Sequence, residues 1–296
     1  MDAVPSSRGA GGRTRATIAC AGLVVASLLA GCASTPDAPQ VFAERVAAEH
    51  SVDSLGLLRE AADHEALYTL VGGLKPMSSG VWSGSFEIDH PDLSEVRSVR
   101  AALAPLRSDS WYADVQVFAE AHEGERSAQA FVVHRGALAR MIERFEPFWS
   151  PWGITPDTHP AEVVAVVDRM PRADRWRGYG YLFGFPVDSV DFFVDAGIAA
   201  EDGAEIGPGK DREFVQIPTH AAETGRFVYA VPVGHVRTVA DEALADEARR
   251  ILAAYRESRG RTEDVATGIE ELRRLDRRFA ASAARAAGIR DAPSAR

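Results

Sequence analysis

Lysine is rare in this chain: only Lys75 and Lys210 stand among 33 basic residues, and the rest are arginine. Lys75 lies in Gly72-Gly73-Leu74-Lys75-Pro76-Met77-Ser78-Ser79-Gly80, a loop bounded by glycines. A lysine held there is a compact charge for an anion, or a base that activates Ser78 or Ser79 as a nucleophile. The order is Lys-x-x-Ser, and Pro76 opposes the helix that would align the pair. The Gly-Lys-Ser/Thr order of a phosphate loop is missing as well, and a structural turn accounts for the same residues. Lys210, in Gly207-Pro208-Gly209-Lys210-Asp211-Arg212, sits where backbone N–H groups can face an anion, although such a run is also the usual recipe for a solvated connection.

A second group is Asp63-His64-Glu65 with Tyr68. Adjacent residues on a helix point in different directions, so these three cannot form one site alone; Glu65 with a group on the following loop can. No second histidine follows His64 four residues on, which removes the zinc-protease pattern. His134 and His235 each follow the second strand of an expected hairpin, and His122 and His220 fall at the turns. If the hairpins lie side by side in one sheet, His134 and His235 converge at one edge, where a scaffold presents functional groups. The stretch Gly178-Tyr179-Gly180-Tyr181-Leu182-Phe183-Gly184-Phe185 alternates rings with other residues. Extended, it turns Tyr179 and Tyr181 to one face as a stacking platform for sugar; helical, it spreads the rings, and the glycines become a packing notch. Burial is the ordinary fate of such rings.

These candidates need elements to hold them. Asp53 to Val71 has helical apolar spacing and ends at Gly72-Gly73, and a second helix runs from Pro91 to about Leu106. Trp111 to Ala121 and Ala128 to Val133 alternate as strands around the turn His122 to Glu125. Gly136 to Trp149, Pro160 to Pro171 and Pro186 to Ala199 read as helices, with Val163 to Val167 open to a buried-strand reading. Glu213 to Thr219 and Phe227 to Val233 form a second hairpin. Val239 to Ser258 carries acids early and arginines late, matching the helix dipole. The last helix, Glu263 to Ala287, has a capping-box spacing at Thr267 and Glu270 and an apolar stripe of Ile269, Leu272, Leu275 and Phe279. The sum is a helix-rich α+β fold with two antiparallel β-hairpins, about four strands, and a C-terminal antiparallel helix pair. Val115-Gln116-Val117 before His134 and Val215-Gln216-Ile217 before His235 raise the possibility of an internal duplication, although strands resemble one another by composition.

The N-terminus is tripartite. Arg8, Arg13 and Arg15 precede the small, apolar run Ala16 to Ala30, which ends in Leu29-Ala30-Gly31-Cys32. The run is shorter than the roughly 20 residues that cross a bilayer. Leu-Ala-Gly-Cys resembles the bacterial lipobox, and the polar tether Ala33 to Gln40 follows it. The resemblance implies cleavage before Cys32 and acylation of its thiol, and several chains anchor durably where one does not. Ala33 and Ser34 follow the cysteine. Without an aspartate there, the resemblance favours the outer membrane where the host is Gram-negative.

The formal charge of −10 is a poor match for nucleic acid or an anionic lipid surface, and the leader takes more arginine than acid with it. Of two cysteines, Cys20 leaves with the leader and Cys32 is acylated, so the folded part holds no disulfide, thiol nucleophile or thiolate metal ligand. The expected organisation is a leader at 1–31, a tether at 32–40, an α+β domain at 41–237, a helical pair packed on it at 238–287 and a flexible tail at 288–296. No catalytic or cofactor motif is complete. The first expectation is therefore an envelope lipoprotein that binds a ligand, an envelope protein or a cell-wall component. The alternatives are an envelope hydrolase using Lys75 with Ser78 or Ser79 or a His/carboxylate metal site including His64, and an assembly role through the last two helices. Binding requires the loop and aromatic candidates to line one cleft. Catalysis requires Lys75 or His64 within hydrogen-bond reach of a second candidate, and assembly requires the stripe at Leu272, Leu275 and Phe279 to be exposed.

Overall fold

In Trp111 to Val117 and Ala128 to Val133 one face is apolar throughout, while the other sets Tyr112, Phe131 and Val133 among the polar Asp114, Gln116 and Gln129. Such strands must be covered on two sides. The computed structural model, which describes residues 52–201, 212–224, 227–261 and 263–286, covers them so. In chain order the elements are α1 (Ser54–Asp63), α2 (Leu67–Leu70), β1 (Met77–Glu87), α3 (Ser94–Leu103), β2 (Trp111–His122), β3 (Glu125–His134), α4 (Arg135–Arg144), α5 (Glu146–Trp149), α6 (Pro160–Arg169), α7 (Arg172–Leu182), α8 (Val187–Glu201), β4 (Arg212–Gln216), β5 (Val228–Pro232), α9 (Val239–Ser258) and α10 (Val265–Ala286).

The larger sheet is antiparallel in the order β1-β3-β2, with β3 central. Its β2–β3 turn is Glu123-Gly124, both at positive φ (50° and 84°), the backbone twist that a two-residue hairpin turn needs. Trp111, Ala113 and Val115 of β2 and Ala128, Ala130 and Val132 of β3 face one core, which α1, α2, α3, α9 and α10 complete. Tyr112, Phe131 and Val133 face the other, built with Leu138, Ile142, Trp149, Val163, Val167, Tyr181 and Val190 of α4 to α8. A one-residue slip of register would exchange the two sets. β4 and β5 pair as a separate two-stranded sheet, packed through Val215, Tyr229 and Val231 on Phe185 and Leu244.

The fold is the expected helix-rich α+β type, with five strands among the described residues rather than about four. The extra strand, β1, begins at Met77 inside the stretch expected to be a loop. Its many glycines and serines hide the alternation, and a register shift between Ser79 and Ser83 breaks it. The long helix expected over 53–71 is two, separated at His64 to Ala66. There Asp63 is drawn to α9, accepting from Arg259 Nε at 2.6 Å and Tyr255 Oη at 2.8 Å, and these bonds offset the helical ones given up. The helix expected over 136–149 likewise breaks at Phe145. Val163 to Val167 is helical.

The two hairpins do not share a sheet. That corrects the expected convergence of His134 and His235, and the two matching glutamines of the suspected duplication have unlike surroundings. Gln116 is buried against Tyr179, whereas Gln216 is exposed.

α9 has a complete capping box of Thr238 and Asp241. α10 is capped by Asp264, whose carboxylate accepts from Thr267 N at 2.8 Å, so the helix begins near the expected Glu263 and not at the Thr267–Glu270 spacing. Tyr255 lies beside Gly268 and Leu272, while Ile251 and Phe279 meet at Gly72, so α9 and α10 run antiparallel. Leu272 and Leu275 are buried in the first core, and Phe279 packs against it. The stripe that an assembly role needs exposed is thus spent on the protein's own interior.

Candidate functional site

Lys75 is brought to the base of β1 by the turn Gly72-Gly73, both glycines at positive φ (72° and 58°), and its N–H donates to Tyr68 O at 3.0 Å. Its side chain then turns inward and is only 1% exposed. Nζ donates to Glu65 Oε2 at 2.7 Å and lies over the rings of Phe227 (4.6 Å) and Phe183 (5.5 Å). Burial pushes the ammonium below the ordinary lysine range, and the Glu65 carboxylate opposes that shift.

Ser78 is buried too. Its hydroxyl lies 2.9 Å from Thr69 Oγ1 and 3.3 Å from Glu65 O. Among the described residues no hydrogen bond joins Lys75 to Ser78, and Ser79 sits on β1 opposite Phe131. His64 pairs with Glu60 at 3.1 Å, one helical turn away. The sequence candidates at 65, 75 and 78 therefore meet, but around the main chain and carboxylate of Glu65 rather than as nucleophile and base.

The histidines hold helix ends. His134 Nδ1 accepts from Ala137 N at 3.1 Å, capping α4. The hydrogen is then on Nε2, which faces Asp276 Oδ1 of α10 at 3.3 Å. The same oxygen accepts from Gly72 N at 2.8 Å. His235 Nε2 lies 2.8 Å from Asp241 Oδ2. Asp241, 1% exposed, also accepts from Tyr229 Oη at 2.6 Å and from Thr238 N and Oγ1 at 2.8 and 2.9 Å. Burial alone would raise its carboxyl, but these donors outweigh it and hold the pKa at about 2.

Tyr179 and Tyr181 lie on α7, so the helical alternative holds and the extended stacking platform is not formed. Tyr179 accepts from Gln116 Nε2 at 2.7 Å, and burial pushes its hydroxyl up to about 12. It stacks on Phe183 and lines a 240 Å³ apolar cavity with Trp176, Phe193 and Phe214. Tyr181 points the other way and stacks flat on Phe145, with centroids 4.0 Å apart and planes at 3°. Gly180 is the notch that admits Val190, whose Cγ2 would stand 2.7 Å from an added Cβ.

That second face of α7 opens onto a cleft of about 550 Å³. Its floor is Gly73, Leu74 and Pro76. One wall is α4 with Arg140, Met141 and Arg144; the other is Tyr181, Gly184 and Phe185 with the first turns of α8 and α9. Volume and lining fall in the class of small-molecule sites, of about 300–1,000 Å³ with a few placed polar groups. Gly184, at φ 71°, makes the floor possible: a Cβ there would stand 3.0 Å from Leu74 O and 3.2 Å from Lys75 Cα. Arg140 and Arg144 are exposed on the cleft wall, and neither pairs with a carboxylate among the described residues; the Arg144 guanidinium lies over the Phe145 ring at 5.1 Å. Neither arginine stands out in the sequence by composition. The available signal was their spacing, since like charges four residues apart on a helix are mildly unfavourable.

Lys210 and Cys32 lie outside the described residues. Among the described residues no group of three or more His, Cys, Asp or Glu can hold a metal ion, and no helix is long and apolar enough to cross a membrane. No protein-family model, curated protein or solved structure matches the chain.

Proposed function

We propose that this protein is a bacterial envelope lipoprotein, acylated at Cys32, whose folded part binds a ligand in the cleft between α4, α8 and α9. One observation carries the binding role. The Gly73 to Pro76 turn and the Tyr181–Phe145 ring pair line a single open cleft, while the acid–base candidates Lys75, Glu65 and Ser78 point into the interior. The lipobox-like Leu29-Ala30-Gly31-Cys32 supports the anchor and a place in the cell envelope, at the outer membrane where the host has one. The ligand then comes from the envelope or cell wall, and the charge of −10 argues against nucleic acid.

The envelope hydrolase is the second reading. The 2.7 Å approach of Lys75 to Glu65 favours it, and the burial of Lys75 weighs against it. The assembly role loses support, because Leu272 and Leu275 are buried.

The test has two parts. Cells fed an alkyne fatty acid are expected to label the wild-type chain and not Cys32→Ala. Native mass spectrometry of the full chain is expected to show an organic mass that Ala243→Trp, which fills the cleft, removes. An unlabelled wild-type chain would overturn the anchor. A bare chain, or a mass that survives Ala243→Trp, would overturn the cleft.

A further inference from the structure

The cleft has a directional chemistry. Its interior is apolar, with Leu74, Pro76, Met141, Phe145, Phe185 and Leu244 along it. At the α4 rim stand Arg140 and Arg144, one helical turn apart and without a carboxylate partner among the described residues. Elsewhere the arginines on this chain are commonly spoken for: Arg100 and Arg107 share Asp114, Arg259 holds Asp63, and Arg261 and Arg274 share Glu271. The opposite rim carries Asp188, exposed at the start of α8. Two guanidiniums on one side and a carboxylate on the other make the cleft positive at α4 and negative at α8, in a protein that is acidic as a whole.

We infer that the cleft binds a single-chain anionic amphiphile, with its phosphate or carboxylate head on Arg140 and Arg144 and its hydrocarbon body along the floor toward Phe185 and Leu244. The inference rests on the cleft being the ligand site and adds the ligand's chemistry. Arginine forks suit oxyanion heads, giving two parallel N–H···O bonds where an ammonium gives a point charge. Arg144 is held against the Phe145 ring, which limits its rotamers and lowers the ordering cost of binding. Asp188 repels an anion from the far end, so the head has one place to sit. A neutral amphiphile gains only the floor, and a bare anion gains only the rim.

Full-length protein in phosphatidylcholine nanodiscs, dialysed against labelled octyl phosphate or octanoate with empty discs as reference, tests this. The short chains keep both probes below micelle formation. The expected result is saturable uptake of one molecule per chain, weakened about tenfold or more in Arg140→Glu/Arg144→Glu. Arg249→Glu, on an exposed face of α9, is expected to bind as the wild type does. Circular dichroism checks that each variant is folded. Preference between the two probes identifies the head as phosphate or carboxylate, and either supports the proposal.

Equal uptake of neutral octyl glucoside would overturn it, as would inorganic phosphate binding as tightly as octyl phosphate. Uptake no greater than in empty discs, or uptake indifferent to the charge reversal, would also overturn it. If the octyl anions fail while Ala243→Trp still removes an organic mass from the native spectrum, this inference falls and the cleft remains the binding site.

Discussion

Lys75 and Glu65 form an ion pair, Nζ to Oε2 at 2.7 Å, in which the lysine is shut from solvent. The pair ties the α1–α2 break to the base of β1, and the rings of Phe183 and Phe227 close over it from two further segments. A buried pair of this kind adds little over an apolar substitute, but leaving one charge without the other is costly. Glu65→Gln is therefore expected to lower stability by about 3 kcal/mol, and Lys75→Met/Glu65→Leu to recover most of it. Urea titrations of the single and double variants check this; additive losses would mean that the two residues act independently.

The same pair has a pH signature. Burial lowers the Lys75 pKa, so in the window above it the unfolded chain holds a proton that the folded chain has released. Stability then rises with pH from the lowered value toward the unfolded value of about 10.4. The wild type is expected to gain stability relative to Lys75→Met as pH rises toward the unfolded lysine value, as read by denaturant midpoints. A parallel pH dependence in the two proteins would show that Lys75 stays charged throughout.

Asp241 works at the acidic end. Its folded pKa of about 2 lies below that of a free aspartate, so its contribution is complete above about pH 4 and is lost as pH falls toward 2. Asp241→Asn keeps the size but removes the charged acceptor to which Tyr229, Thr238 and His235 donate. It is expected to cost about 2 kcal/mol at neutral pH. The gap to the wild type should narrow between pH 4 and 2 in thermal melts. A constant gap would place the effect in packing rather than in charge.

Gly184 has two reasons to be glycine: a φ of 71° and the main chain of Leu74 and Lys75 within 3.0 to 3.2 Å of any added Cβ. Gly184→Ala is expected to destabilise by more than the about 1 kcal/mol that positive φ alone costs, and to lower ligand affinity because the contact partner is the cleft floor. Melting temperature and native mass spectra report the two effects separately. Unchanged values in both would mean that the floor yields freely.

The parts of the fold that were readable in the sequence are those where a local rule and tertiary packing agree. α9 shows its acids and arginines in order, and the β2–β3 hairpin shows alternation on both sides of Glu123-Gly124. β1 was hidden because a strand of glycines and serines satisfies no propensity rule; its place is fixed by pairing with β3. The break at His64 depends on Arg259, nearly two hundred residues away, and no window of sequence contains both. The site divides in the same way. The Gly72 to Gly80 stretch and Tyr181 stand out by composition, and they do meet. Arg140 and Arg144 look like any solvated helix face until Ala240, Ala243 and Leu244 are set beside them.

The cleft draws its lining from residues 73–76, 137–145, 181–188 and 240–244, segments that are remote along the chain and contiguous only once it has folded. A molecule lodged there serves as a cross-link without a covalent bond. It touches nothing in the unfolded chain, so occupancy at a hundred times Kd adds about 2.7 kcal/mol to the work of unfolding. It also joins the start of α9 to the turn that precedes β1, so amide exchange in the first turns of α9 becomes a gauge of whether the cleft is filled.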